Sequence, residues 1–266
     1  MLKDITLGQF IPGDSLIHKL DPRVKIVGIF FFMISVFLVQ RFIVYLPITI
    51  ALLAVILISR VPLKYVLNGL KPLIFIILLT LIINLLMTPG RVVFEWSFLR
   101  VTQEGINIGF FMVTRLILLV IGTSLLTLTT SPIVLTDGME SLMKPLTMIG
   151  FPSHQLAMMM TIALRFIPTL FEETDKIMKA QMARGADFET GNFLARAKNL
   201  VPLLVPLFIN SFRRADELAT AMESRCYRGG EGRTRLNELH YQTRDWVGYG
   251  LIFLYFAFIL ALRFIV

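Results

Sequence analysis

Two arginines, each at the end of a helical pattern, are the side chains best suited to bind a partner. The first lies in Ala183-Arg184-Gly185 and the second in Ser224-Arg225-Cys226. Their small neighbours leave each guanidinium unobstructed. A guanidinium offers five planar N–H donors that suit a carboxylate or the last carbonyls of a helix. Taken singly, each arginine also has a simpler interpretation, a charge that complements the helix dipole by about 0.3–1 kcal/mol.

Residues for catalysis, metal binding or nucleotide binding are sparse. The histidines His18, His154 and His240 have no metal-ligand spacing, and Cys226 is the only cysteine. A single cysteine excludes an internal disulfide framework and suits a reducing compartment. No Walker-type glycine loop is present, so the chain is not expected to bind ATP. We therefore predict no catalytic residue, no cofactor and no metal.

The composition predicts a polytopic membrane protein. Of 266 residues, 56% are hydrophobic and 17% are charged, and the mean hydropathy is +0.74. A soluble domain has roughly 45–50% apolar and about 25% charged residues. The charge is concentrated in one block between Thr129 and Arg244. The net charge of +8 is typical of basic cytoplasmic segments in a membrane protein, so nucleic acid is not expected as a partner.

Apolar runs predict about five transmembrane helices, although the first is short against the roughly 20 residues that a span requires. The predicted spans are Ile26–Val39, Phe42–Ser59, Leu73–Met87, Ile106–Leu128 and Trp246–Val266. We predict a polar connector from Arg60 to Pro72 and a short loop from Val92 to Val101. Before the first span, Pro22 favours a helix start after Asp21; a simple juxtamembrane anchor is the alternative.

Arg263 lies near the end of the fifth predicted span, and Arg115 is the only formal charge inside the other four, in the middle of the fourth. A charge at that depth costs at least about 2.5–3.5 kcal/mol on insertion scales. It therefore marks either a function or an arginine that faces the helix bundle and contributes to packing.

The distribution of basic residues predicts the orientation. The segments before the first span, between the second and third, and between the fourth and fifth carry 4, 3 and 14 Lys and Arg residues. The richly basic side is cytoplasmic, so the N-terminus and the central block are expected inside and the C-terminus outside. The predicted domains are a membrane region at 1–128, a cytoplasmic domain at 129–244 and a final span at 245–266.

The central block predicts one short and two long helices. Ser131-Pro132 is a good helix start, and that helix should end near Lys144. A long amphipathic helix is expected from about His154 to Arg184, kinked at Pro168. Another is expected from about Phe193 to Arg228, stopped by the glycines at 229 and 230. Two amphipathic helices joined by a short turn should pack and cross.

Methionines and prolines on these helices predict an adaptable apolar face. Met158 and Met159 belong to a methionine run, which suits a docking surface as well as a core. Pro202 and Pro206 are four positions apart, so they lie on one helix face and loosen it.

The order of these motifs resembles the transmembrane T component of energy-coupling factor transporters, a class of ABC-type importers in prokaryotes. The resemblance covers nearly the whole chain. It rests on the residues 18–25, Thr129-Thr130-Ser131-Pro132, Ala163-Leu164-Arg165-Phe166-Ile167-Pro168, Ala180-Gln181-Met182-Ala183-Arg184-Gly185 and Ser224-Arg225-Cys226-Tyr227.

The resemblance implies a non-catalytic scaffold in the bacterial cell membrane that serves uptake of a vitamin or similar micronutrient. The fold class it implies is an all-α polytopic membrane protein whose cytoplasmic coupling domain has one short and two long crossed amphipathic helices. Its partners would be the lipid bilayer, two ABC ATPase subunits forming a heterodimer, and a substrate-binding S component. The first arginine motif maps onto Ala183-Arg184-Gly185. The second maps onto Ser224-Arg225-Cys226, where Ser and Cys replace the Ala and Gly of the family pattern. Met158, Met159, Pro202 and Pro206 are expected to face the S component.

Two other functions remain open at this point. A conventional ABC permease would form its own substrate path, and subunit stoichiometry would distinguish it from a scaffold. A membrane-embedded, lipid-modifying enzyme would need a polar catalytic cluster near the membrane surface. The only candidate acids have no nearby histidine or cysteine in the sequence; they are Asp137, Glu140, Glu172, Glu173 and Asp175.

Overall fold

Helices dominate the chain, as predicted, in a computed structural model that describes residues 10–96, 99–188, 192–229 and 238–265. The helices are α1 Pro22–Leu38, α2 Tyr45–Ser59, α3 Leu63–Asn68, α4 Ile74–Met87, α5 Gln103–Thr129, α6 Pro132–Met143, α7 Ser153–Ala183, α8 Phe193–Ser224 and α9 Thr243–Ile265. Contacts group α7 and α8 into one compact unit, the helix-pair unit, and α1–α6 with α9 into another, the membrane unit.

Four helical segments in the described residues are long and apolar enough to cross a membrane. They are Phe42–Ser59, Leu63–Met87, Gln103–Thr129 and Thr243–Phe264. The helix α1 has 17 residues, at the lower end of the range of about 17–25 for a span, and it packs against α5 and α9. The prediction of an all-α membrane protein is confirmed.

Two segments between the spans differ from the predictions. The connector predicted from Arg60 to Pro72 is largely helical, because Pro62 and Pro72 stand at helix starts, where a missing N–H costs nothing. The loop predicted from Val92 to Val101 is instead an antiparallel hairpin of β1 Val92–Trp96 and β2 Leu99–Thr102. Its partly alternating residues are typical of strands.

The core of the membrane unit lies around one face of α2. Ile48, Leu52 and Ile56 are buried, and their spacing of four residues places them on one side of the helix. They belong to the same cluster as Leu118 and Leu125 of α5. By contrast, α4 has no buried residue in its apolar window, as expected for a helix whose outer face contacts lipid.

The start of α1 is capped as predicted, and it is also tied to the start of α9. The Asp21 carboxylate accepts a hydrogen bond from the backbone N–H of Arg23 at 2.8 Å, with Pro22 in the first turn. The Arg23 guanidinium donates to the same carboxylate at 2.8 Å and stacks on the Tyr241 ring. The backbone N–H of Asp21 donates to buried Asp245 at 2.9 Å. The link to α9 was missed because its partners are 224 positions apart.

In the helix-pair unit, α7 and α8 pack in antiparallel order. Glu173 accepts a hydrogen bond from Asn210 at 2.5 Å and pairs with Arg214 at 2.9 Å. Towards one end, Gln181 contacts the carbonyl of Pro202. Later positions in α7 therefore meet earlier positions in α8. The two helices form a paired rod that Glu173 cross-links near its middle.

Candidate functional site

The two arginine motifs lie at the C-terminal ends of α7 and α8. We call Ala183, Arg184 and Gly185 the first tip, and Ser224, Arg225 and Cys226 the second tip. All six residues are exposed. The structure therefore places every predicted docking residue on the surface of the helix-pair unit.

The first tip ends α7 with a closed pattern of backbone hydrogen bonds. The N–H of Gly185 donates to the carbonyl of Met182 at 2.9 Å, and the N–H of Ala186 donates to that of Gln181 at 2.9 Å. These two bonds define a Schellman motif, in which the residue after the cap adopts a left-handed conformation. That residue is Gly185, with φ +91°. Glycine reaches this region without a steric penalty, so the helix stops as the sequence predicts.

The second tip ends α8 with the same pattern. The N–H of Cys226 donates to the carbonyl of Glu223 at 2.8 Å, and the N–H of Tyr227 donates to that of Met222 at 3.0 Å. Cys226 takes the left-handed position, with φ +57°. The prediction that α8 continues to Arg228 and stops at the glycines was wrong. The helix ends at Ser224 because Cys226 closes the Schellman motif.

The backbone holds both arginines in the same conformation. Arg184 has φ −89° and ψ 6°, and Arg225 has φ −90° and ψ 12°. Each is therefore the cap residue of its helix, and its Cα–Cβ bond leaves the backbone in the same direction relative to its own helix axis. The two tips are two copies of one local structure built from different sequences.

The guanidinium groups of both tips have their donors available. Across the described ranges, neither side chain has a hydrogen-bond or ion-pair partner. Each arginine caps the C-terminal end of its helix, so its positive charge complements the helix dipole. That stabilisation does not use up the planar N–H groups. A carboxylate or a helix C-terminus on a partner can therefore bind either tip in a bidentate manner.

The antiparallel order places the tips at opposite ends of the helix pair. Gln181, near the first tip, contacts the early part of α8. Tyr227, beside the second tip, contacts His154 in the first turn of α7 at 3.3 Å. At 1.5 Å of rise per residue, the distance along α8 between these levels is roughly 40 Å. The helix pair can therefore reach two separate binding sites at once.

The four residues predicted to face a membrane partner do not form one patch. Met158 and Met159 are in the first two turns of α7, beside the second tip, and Met159 is 54% exposed. Pro202 and Pro206 are in the first half of α8, towards the first tip, where Pro202 is exposed. The antiparallel packing separates the two pairs along the rod.

A continuous apolar stripe on α8 was missed in the sequence. Its side chains are each 43–69% exposed, and they are Val201, Leu204, Val205, Phe208, Ile209 and Phe212. They recur at intervals of three and four residues, the spacing of a single helix face. Their periodicity is visible in the sequence, but their exposure depends on how α8 packs against α7, which the sequence alone does not show. The stripe lies between the two tips along the helix pair.

Arg115 faces the bundle rather than a substrate path. Its guanidinium donates to the Tyr45 hydroxyl at 3.3 Å and to the carbonyl of Val39 at 3.2 Å. It also lies over the Phe111 ring at 5.0 Å. These contacts support the packing interpretation. In the part of the chain that the structure describes, no group of three or more His, Cys, Asp or Glu residues could hold a metal ion.

Comparisons with known proteins agree with the resemblance seen in the motifs. The family model CbiQ, described as a cobalt transport protein, matches residues 13–236. The energy-coupling factor transporter transmembrane protein EcfT of Clostridium kluyveri is 60% identical over 249 residues, 93% of this chain and 92% of that protein. EcfT of Ruminiclostridium cellulolyticum is 52% identical over 265 residues, covering 100% and 99% of the two chains. EcfT of Bacillus subtilis is 49% identical over 246 residues, covering 92% and 93%.

The apolar helices and these matches define the class as a membrane subunit of a transporter. The chain belongs to the CbiQ family, and within it to the transmembrane components of energy-coupling factor transporters.

Proposed function

We propose that this chain is a non-catalytic scaffold that transmits the ATP-driven motion of two ATPase subunits to a substrate-binding S component. The S component would take up a vitamin or similar micronutrient. The observation that carries this proposal is the repetition of one capped, arginine-bearing tip at each end of a single helix pair. One copy of the chain then serves two ATPase subunits, with one tip in a groove of each.

The tips suit mechanical coupling because their position along the rod is fixed. Each arginine is part of a closed helix end, and Glu173 cross-links α7 to α8 between them. When the two ATPase subunits approach each other, they press on both ends of one body. In this proposal the N-terminus and the coupling domain at 129–244 are cytoplasmic, and the C-terminus is outside.

The apolar stripe on α8 supplies a surface for the S component. It exposes Phe208 and Phe212 by 61% and 69%, and contiguous exposed apolar surface marks an interaction site. Met158, Met159, Pro202 and Pro206 lie towards the two ends of the rod and would extend this surface. Displacement of the tips would then be transmitted through the same helices to the S component bound on them.

Charge reversal at the tips tests the proposal. We expect Arg184→Glu and Arg225→Glu each to weaken ATPase binding by about 2–5 kcal/mol, the cost of breaking an interfacial charge-assisted pair. The complex is purified in mild detergent from cells that express all subunits, and the retained ATPase subunits and vitamin uptake are measured. Normal uptake by the double variant would refute the assignment.

Lys176→Glu is the matched control, because Lys176 is an exposed cation on α7 away from both tips. It makes the same charge change and should leave ATPase retention unchanged. Subunit counting on the wild-type complex adds an independent test. One copy of this chain with two ATPase subunits supports the scaffold, whereas two copies support a conventional permease.

A further inference from the structure

The membrane unit contains a large apolar groove that ATPase docking does not use. Its volume is about 700 Å³, within the range of roughly 300–1,000 Å³ of small-molecule sites. Lining residues from α1 and α5 are buried or partly buried, as at Leu125 and Phe32, whereas α2 and α9 also contribute exposed residues, as at Val55 and Leu251. The groove is therefore floored by α1 and α5, and it opens sideways between α2 and α9.

The lining of the groove is charged at one end only. Its two charged residues are Lys25, near the start of α1, and Arg244, in the first turn of α9. Lys25 is held in the wall, where its ammonium donates to the carbonyl of Thr129 at 3.0 Å. Arg244 is exposed, and no carboxylate among the described residues pairs with it. The groove thus has an apolar body and a cationic mouth.

Nearby acids do not neutralise this mouth. Asp245 is 1% exposed, and its two oxygens accept hydrogen bonds from the backbone N–H groups of Asp21 and Gln242 at 2.9 and 2.8 Å. Asp21 itself is paired with Arg23. Both carboxylates are therefore committed within the protein, and the Arg244 guanidinium is left for an external anion.

The depth of the groove matches one leaflet of a bilayer. It extends along α9 from Arg244 to Tyr255, which corresponds to about 16 Å at 1.5 Å per residue. Half of a hydrocarbon core of about 30 Å is about 15 Å. A molecule with a charged head at the mouth and an acyl chain in the body would occupy one leaflet.

We propose that this groove binds one anionic phospholipid, with its phosphate at Arg244 and an acyl chain between α2 and α9. Basic pockets between transmembrane helices bind anionic head groups in this manner. A partner helix would also cover apolar surface, but it would not account for an unpaired cation at one end or for a depth of a single leaflet. The site shares no residue with either arginine tip.

Native mass spectrometry of the purified chain tests the proposal. The protein is equilibrated in mixed micelles that contain equal amounts of phosphatidylglycerol and phosphatidylcholine. We expect one retained phosphatidylglycerol per chain. Arg244→Gln should lower the preference for phosphatidylglycerol about fivefold, the effect of one basic residue near an anionic lipid. Arg263→Gln is the matched control, because it removes a charge from the other end of α9.

A second pair of variants tests the acyl-chain portion. Ala54→Phe adds bulk at the exposed rim of the groove, whereas Leu57→Phe adds bulk to the same helix at a residue outside the lining. We expect only Ala54→Phe to release the lipid. Equal selectivity in Arg244→Gln and Arg263→Gln, or equal retention in the two phenylalanine variants, would overturn the proposal.

Crosslinking in native membranes distinguishes a bound lipid from the alternative occupant of the groove, a helix of a partner protein. With Phe32, an aromatic residue of the groove lining, replaced by a photoreactive phenylalanine analogue, capture of phospholipid supports the site, and capture of a membrane protein overturns it. Arg184→Glu should retain the lipid normally. Failure of the tip assignment and failure of the lipid site are therefore separate results.

Discussion

The two tips share one backbone structure but differ at the residue that closes it. The first tip places Gly185 in the left-handed conformation, and the second places Cys226 there. A residue with a Cβ in this conformation costs roughly 1–2 kcal/mol relative to the right-handed region. The comparison teaches that the backbone geometry, rather than the residue that achieves it, is what the two ends of the helix pair have in common.

The second tip has a neighbour that offsets this cost. Tyr227, directly after Cys226, contacts His154 at the start of α7, and its N–H completes the Schellman motif. The first tip is followed by Ala186, which makes the equivalent backbone bond. One end thus depends on glycine, and the other is anchored by a side chain.

The largest expected effect on stability comes from removing Glu173, because its contacts cross-link the two helices that carry both tips. We expect Glu173→Ala to destabilise the helix pair by about 1.5–3 kcal/mol, because it removes hydrogen bonds to a charged group. It should weaken ATPase binding at both tips equally. Thermal unfolding and ATPase retention are the measurements, with Glu172→Ala, an exposed neighbour, as the control. Loss at one tip alone would contradict the shared cross-link.

Replacing the left-handed residue by alanine should destabilise the first tip but not the second. Gly185→Ala places a Cβ at φ +91° and is expected to destabilise the first tip by about 1–2 kcal/mol. Cys226→Ala exchanges one residue with a Cβ for another and should change stability very little. Thermal unfolding of both variants measures the difference. Equal melting temperatures would show that the two positions are not energetically distinct.

The reverse change should make the tips alike. We expect Cys226→Gly to stabilise the end of α8 by up to about 1 kcal/mol, because glycine adopts the left-handed region freely. The cost of a more flexible unfolded chain reduces this gain. Amide hydrogen exchange at positions 226 and 227 should be slower in the variant than in the wild type. Faster exchange at these amides would contradict the strain assigned to Cys226.

The smallest expected effect is a change in thiol reactivity. Cys226 is the only cysteine of the chain and is exposed, so it reports on the second tip without any substitution. We expect ATPase binding to slow its reaction with a maleimide at least about threefold, because thiol reactivity requires access. Arg225→Glu should abolish this protection. Protection that persists in that variant would place the ATPase elsewhere.

Much of the architecture follows from local rules that the sequence displays. The apolar runs predict the spans, Ser131-Pro132 predicts the start of α6, and Arg184 followed by Gly185 predicts the end of α7. These features depend on neighbouring residues only. The exposure of all six tip residues also follows from their position at helix ends.

Other features could not be predicted because distant residues determine them. The end of α8 requires a left-handed cysteine, whose type gives no such signal. The bond between Asp21 and Asp245 joins residues 224 positions apart. The separation of Met158 and Met159 from Pro202 and Pro206 depends on the antiparallel order of α7 and α8. The hairpin at 92–102 has a bulge between Val92 and Phe94, which interrupts its alternation.

The link between Asp21 and Asp245 has a consequence for biogenesis. The ribosome makes α1 first and α9 after every other helix named above. Until α9 has inserted, the backbone N–H of Asp21 lacks its acceptor, the Asp245 carboxylate, and the ring of Tyr241 is not yet stacked on Arg23. A buried polar group without its partner costs about 1–3 kcal/mol. The arrival of α9 therefore completes this cluster, and a chain truncated before it would present an unfinished polar surface to the quality-control proteases of the membrane.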